Sequence, residues 1–389
     1  MKAFLGKIKA MNPVMPFCMV ALCIIGAVFI HSACSIRLDS TLKALYFQHA
    51  KMAAIGISIY FIIAGIPYRK VLHWRWVLYA VTLALLVALP FAGTEIMGAK
   101  RWIFGIQPSE LAKAAIVMVL ARELGKRGCR RGLGSFFMTA AVAGLPMALV
   151  MLQPDLGTAL VLVPTVLSML MVSGVCPRLV WGVTLAGMLV AVLILGAIAY
   201  AERPDVPVER RETAIRLTCL RPHQVKRLQV FLFPDRDLYG SGYNRRQSEI
   251  AVGSGGFWGK GLGKGEQYTL GYLPPSIATN DFIFSVLAEE RGFAGSLTVL
   301  LLFLGLLGSC TAVAFKCKDD TGRLFCVGTM TLVFSHMFIN IAMTIGVMPI
   351  TGLPLPFISY GRTFLLTLFV MLGLVQSVSV HGAEPEERF

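Results

Sequence analysis

Residues 278–293 read Ala-Thr-Asn-Asp-Phe-Ile-Phe-Ser-Val-Leu-Ala-Glu-Glu-Arg-Gly-Phe. One carboxylate, Asp281, stands at the head of an apolar helix that follows a long polar loop. Pro274 and Pro275 stiffen the approach, and Thr279 or Asn280 can cap the helix start. Asp281, Ser285, Ala288 and Glu289 then fall near one helix face. A carboxylate at a membrane edge is costly to desolvate, so it faces protein or a wet cavity and marks a candidate functional site. Kept ionised there, it can take the proton of a hydroxyl as a general base. The simpler alternative is an acid that only completes a helix N-terminus, an effect of about 0.3–1 kcal/mol. Glu289 does not make a catalytic pair with it. Eight residues of helix span roughly 12 Å at about 1.5 Å each, whereas hydrolytic carboxylate pairs stand about 5–9.5 Å apart. Glu289 is therefore expected to shape the cavity.

Three further segments carry unusual polar residues. Gly98-Ala-Lys-Arg-Trp102 precedes Gln107-Pro-Ser-Glu-Leu-Ala-Lys113. Pro108 suits a first helical position, where its missing N–H does no harm. Glu110 then lies in the first turn, and Lys113 is three residues on, close enough to pair. Trp102 beside Lys100 and Arg101 reads equally as an interfacial anchor. Gln153-Pro-Asp155 repeats the Gln-Pro start with an acid that must be hydrogen-bonded or face water. Thr351-Gly-Leu-Pro-Leu-Pro-Phe-Ile-Ser-Tyr-Gly361 describes a re-entrant or broken segment, tolerated only where protein or water satisfies its backbone. His336 and Asn340, one turn apart on the preceding span, can do part of that. His336 is read as structural.

The elements that must position these residues are membrane helices. Of 389 residues, 56% are hydrophobic and 15% charged. That is too apolar for a soluble domain and points to an all-α polytopic membrane protein. The net charge of +15 sits largely in short loops, where it acts as a topology signal rather than a nucleic-acid surface. Nine cysteines, with no CxxC pair and no zinc spacing, read as small core residues. Apolar runs predict about ten helices, at 13–34, 48–67, 75–92, 108–123, 134–152, 155–174, 178–200, 281–315, 323–347 and 363–380. The eighth is long enough to hold a surface half-helix before its span. Lys2, Lys7 and Lys9, then loops 68–75, 122–133 and 316–323, carry the short-loop basic residues. By the positive-inside rule both termini are cytoplasmic, and 93–107, 153–155, 201–280 and 348–362 face outside. Residues 201–280 form a long loop between helices seven and eight of a single domain, 1–389. Its basic first half suits short surface helices. Its glycine-rich second half, 241–265, fails the spacing of a phosphate loop, and its glycines let backbone approach a partner or substrate.

Taken together, GAKRWI at 98–103, QPSELAK at 107–113, QPDLGTAL at 153–160, SGYNRRQSEIAVGSGGFWGKGLGKG at 241–265, NDFIFSVLAEE at 280–290 and TGLPLPFISYG at 351–361 resemble the SEDS family (shape, elongation, division and sporulation), in particular its RodA branch. The resemblance implies a peptidoglycan glycosyltransferase. Such an enzyme polymerises lipid II at the outer face of the bacterial cytoplasmic membrane, alongside a class B penicillin-binding protein that cross-links the product. It implies Asp281 as the essential aspartate, with Arg101, Trp102, Glu110, Lys113, Gln153 and Asp155 in the cavity. Ser359, within the last motif, and Arg362 join these as substrate-site candidates. The family's His-Thr before the aspartate is Thr279-Asn280 here, and its Gly-Gly-Ser-Ser is replaced by Gly361-Arg362-Thr363. Arg362 thus places a cation where it can bind phosphate or snorkel to the interface. There is room for a divalent cation, Mg or Mn, but no ligand cluster demands one. The competing readings are a flippase or transporter for the lipid-linked precursor, which needs no base, and a non-catalytic scaffold of the cell-wall machinery.

Overall fold

The computed structural model describes residues 11–34, 40–96, 99–126, 132–153, 155–237 and 240–382. The lysines of the N-terminal tail, Gly98, Arg127, Arg130, Arg131 and Pro154 fall outside them. The first spans are α1 (Val14–Cys34) and α2 (Ser40–Gly65), followed by the short α3 (Tyr68–His73) and α4 (Arg75–Ala92). A small antiparallel hairpin follows, β1 (Thr94–Ile96) and β2 (Ala99–Trp102). Next come α5 (Pro108–Gly125), α6 (Leu133–Leu152), α7 (Leu156–Ser173) and α8 (Pro177–Ala201). The long loop holds α9 (Val208–Leu217), α10 (Pro222–Leu232), α11 (Ser241–Ser254), and the single turns α12 (Glu266–Thr269) and α13 (Pro275–Ala278). The chain closes with α14 (Ile283–Lys316), α15 (Asp320–Thr344) and α16 (Arg362–His381).

Among the described residues, eight helices are long and apolar enough to cross a membrane. The protein is a polytopic all-α membrane protein. The two remaining predicted helices are α5, whose length is adequate but which carries internal charges, and the shorter α7. Helix α5 is buried along nearly its whole surface, its Glu110 and Lys113 included, which these charges can bear because they pair with each other. Around it pack α4, α7 and α15, while α16 lies on α2, and α1 on both α2 and α14. By contrast, α8 buries only Val180, Ile198 and Ala201, so its apolar surface faces hydrocarbon. The basic first half of the loop forms α9 and α10, the short helices its composition suggests.

Helix α14 is broken. Gly292 takes φ 64° and ψ −156° inside it, separating a half-helix, 283–291, from the span that follows. Where a surface half-helix was expected, this one is buried, covered by the glycine-rich loop. The break frees backbone groups that lipid cannot satisfy. The glycine-rich loop supplies the partners. Lys260 N and Gly261 N donate to the Glu289 and Glu290 carbonyls, both at 3.0 Å, and Phe293 N and Ala294 N donate to Gly256 O (2.9 Å) and Phe257 O (3.0 Å). The glycines do let backbone approach a partner, and that partner is the chain's own helix. At Gly259, with φ 80°, an added Cβ would stand 2.2 Å from the Glu290 carbonyl oxygen. Gly259→Val is therefore expected to destabilise the protein by about 1–3 kcal/mol through the strained backbone alone, read as a lower melting midpoint in detergent. A midpoint equal to wild type would refute this account of the loop.

Candidate active site

Asp281 lies in a turn, 279–282, between α13 and α14. The expected cap is corrected here. Phe282 occupies the N-cap position of α14 and makes no side-chain cap bond. Thr279 Oγ1 instead donates back to Pro275 O (2.9 Å), and Asn280 Nδ2 to Ser276 O (3.0 Å). Pro275 starts α13, a turn of helix too short to run into α14, so these side chains close α13 rather than open α14.

Three successive carbonyls of this turn are tied down. Thr279 O accepts from Tyr360 N at 3.1 Å. Asn280 O accepts from Ser359 Oγ at 2.5 Å. Asp281 O accepts from Asn340 Nδ2 at 2.9 Å, and the same nitrogen donates to Leu353 O at 2.7 Å. Ser359 Oγ also accepts from Leu355 N at 2.8 Å. The irregular segment 351–361 and the Asp281 turn thus satisfy one another, with Asn340 of α15 between them. The Asp281 carboxylate is half-buried and, among the described residues, accepts no hydrogen bond from the protein. A methyl group on Gly352 would lie 3.5 Å from its Oδ2.

Cations surround that carboxylate. Arg101 comes from the hairpin and Arg227 from α10, whose guanidinium donates to Thr351 O at 3.1 Å. Burial pushes the Asp281 carboxyl up to about 6, and the charges of Arg227 and Arg101 hold it from rising further. Asp155 also acts on Arg227. Burial, then Arg227, Arg221 and Arg101, depress His223 below the usual histidine range. Three arginines thus act on one another's surroundings here, an arrangement suited to an anion. Arg227 was legible beforehand only as one of several loop cations; its place beside Thr351 emerges from the fold.

The remaining predicted residues divide into groups. Asp155 caps α7, accepting from Thr158 N (3.2 Å) and Thr158 Oγ1 (2.9 Å). Gln153 donates to Leu86 O at 3.1 Å, tying α6 to α4. Trp102, half-buried on β2, accepts through its carbonyl from Thr94 Oγ1 at 3.0 Å. Glu110 and Lys113 pair at 2.8 Å, both buried. Lys113 Nζ also reaches His336 Nε2 at 2.8 Å and lies 5.2 Å from the Phe364 ring centre. Since an ammonium only donates, His336 must present a lone pair to it. Ser359 is consumed by backbone, and Arg362 is exposed at the first turn of α16. Glu289 does not share a helical face with Asp281, because Asp281 precedes the helix. Its carboxylate accepts from Lys260 Nζ (2.9 Å) and Glu266 N (2.8 Å), which commits it to the loop.

A chain with these spans, a broken helix and arginines around one open carboxylate belongs to the class of multi-pass membrane proteins with a polar site built from interrupted helices. Residues 13–384 match the family described as cell cycle protein, FtsW/RodA/SpoVE. The chain is 33% identical over 384 residues to the peptidoglycan glycosyltransferase MrdB of Escherichia coli, covering 98% of this chain and 96% of that one. It is 29% identical over 415 residues to the peptidoglycan glycosyltransferase RodA of Treponema pallidum, covering 93% and 95%. A solved chain from a peptidoglycan synthase complex that coordinates polymerization and crosslinking superposes with a TM-score of 0.75 at 27% identity, covering 96% of this chain and 99% of that one. The protein belongs to the SEDS family, on its RodA-like side, and is a multi-pass bacterial membrane protein.

The buried pair yields a stability prediction. Lys113→Met strands the Glu110 charge and is expected to cost about 3–5 kcal/mol, whereas adding Glu110→Leu recovers most of it. Thermal unfolding of both variants decides. Equal losses in the single and double variants would remove the pair from this role.

Proposed function

We propose that this protein polymerises lipid II into glycan strands at the outer face of the cytoplasmic membrane, with Asp281 as the general base. It is a peptidoglycan glycosyltransferase serving cell elongation and shape. Both termini then lie in the cytoplasm, and the pocket opens outward. A sugar hydroxyl of one substrate attacks the anomeric carbon of the other. The new C–O bond forms as the bond from that carbon to the pyrophosphate oxygen breaks, with inversion. The hydroxyl proton passes to Asp281. Undecaprenyl pyrophosphate leaves as an anion, so a strong general acid is unnecessary.

The observation that carries this reading is the Asp281 carboxylate itself. It is half-buried, open toward no protein donor, and flanked by Arg101 and Arg227. Those arginines suit the charge of the pyrophosphate, held in a site of low dielectric where oriented charges act strongly. The charge of Asp155 acts on Arg227. Trp102 and Gln153 are further candidates for substrate contact, and the Glu110–Lys113 pair anchors α5. Arg362, exposed beside Tyr360, is a second contact for phosphate. The product strand passes to a class B penicillin-binding protein for cross-linking. A relative's place in a peptidoglycan synthase complex supports that pairing.

Reconstituted polymerisation of purified lipid II, with and without the cognate transpeptidase, tests the assignment. Asp281→Asn is expected to insert normally and to lose about 10²–10⁴-fold in rate. Wild-type glycan yield from that variant would take the base role away from Asp281. The pH dependence has a definite sign. A base works as the carboxylate, so the rate should be full above pH about 6 and fall about tenfold per unit below it. A wild-type rate flat down to pH 4.5, by roughly the same logic, would contradict a titrating base.

A further inference from the structure

We propose that Asn340 is a positioning residue for this reaction: its carboxamide locks the Asp281 backbone to the irregular segment beside it and so sets the direction of the carboxylate. This rests on the reading of Asp281 as the base. Asn340 is fully buried on α15, and its Nδ2 donates to two carbonyls, Asp281 O at 2.9 Å and Leu353 O at 2.7 Å. The amide has one workable orientation. Reversed, its oxygen would face two lone-pair-bearing oxygens and neither could be satisfied. Its Oδ1 is buried and, among the described residues, has no hydrogen-bond partner. An open buried acceptor is a standing cost, and the side chain bears it while using both donors.

Those two donors bridge the pieces of chain that meet at the carboxylate. Leu353 follows Gly352, whose Cα faces Asp281 Oδ2. The carbonyls of Thr279 and Asn280 are held by residues 359 and 360, whereas the Asp281 carbonyl is held from a membrane helix. One turn earlier on that helix, His336 meets Lys113 Nζ at 2.8 Å. A single rigid element therefore fixes both the Glu110–Lys113 pair and the Asp281 turn. A small displacement of a catalytic group costs about 10²-fold in rate, so the link has a measurable consequence.

The test uses full-length protein in detergent, with purified lipid II. Asn340→Leu keeps the volume and removes both donors. Asn340→Asp keeps the shape and sets a negative charge near Asp281. Both are expected to lose about 10²-fold in kcat, with the KM for lipid II unchanged. In Asn340→Asp the acid limb of the pH–rate profile should also move up by about one pH unit, from the like charge. Arg101 and Arg227 face Asp281 in wild type and variants alike, so that displacement reports the change at 340. Wild-type kcat with an unmoved limb in Asn340→Asp overturns the proposal. A loss of activity that only follows a lowered melting midpoint, with the limb unmoved, also overturns it, since a merely structural residue does that. Should Asn340→Leu fail to fold, Asn340→Asp decides alone. Asp281→Asn measured alongside separates the two readings. If it polymerises normally the base role falls, and if it is inactive while Asn340→Asp is normal, the positioning role alone falls.

Discussion

Peptide groups released from regular structure must find partners within the protein wherever lipid replaces water. Three interruptions create such groups here: the 279–282 turn, the 351–361 segment and the Gly292 break. The turn gives its carbonyls to Ser359, Tyr360 and Asn340, and the break gives its carbonyls to the amides of Lys260 and Gly261. Irregular backbone thus becomes a rigid frame, because the turn and the 351–361 segment bond to one another and the glycine-rich loop bonds to the break. That frame lets a carboxylate sit outside any helix without being mobile.

The charges follow a second constraint, that an ion taken from water needs a counter-ion or a ligand. Deep in the bundle the requirement is met internally, by Glu110 with Lys113 and by the neutral ring of His336. Near Asp281 it is met only in part. Arg101, Arg227 and Arg221 outnumber Asp281 and Asp155 there. A cluster left with excess positive charge is stabilised by an arriving anion.

Much of this was visible in the chain itself. Hydropathy located the eight described spans to within a few residues at most boundaries, since a span of about 20 apolar residues has few disguises. The Glu110–Lys113 pair followed from helical spacing, a half-helix from the excess length of one run, though not its burial or its break at Gly292, and the role of Asn340 toward the broken segment from its place one turn past His336. The start of α14 was not legible. Thr279 and Asn280 are good cap residues in isolation, and only the position of α13 shows that they bond backward. Nor could the sequence single out Arg227. Twelve lysines and arginines lie in the 201–280 loop, and the choice among them depends on how α10 docks beside Thr351, a contact 124 residues away in the chain.

The same frame explains why one of three neighbouring acids is suited to chemistry. Glu289 receives Lys260 Nζ and two amides of the 266–267 turn. Glu290 receives Ser32 Oγ at 2.6 Å, Gly263 N at 3.0 Å and the Tyr268 hydroxyl. Those carboxylates staple the glycine-rich loop and α1 to the half-helix, and their oxygens are committed to that structural role. Asp281 is held through its backbone instead, which fixes its place while leaving both oxygens uncommitted. A base needs that combination of a fixed position and an unquenched lone pair. In this fold the combination arises where the carbonyl is clamped and the carboxylate is not.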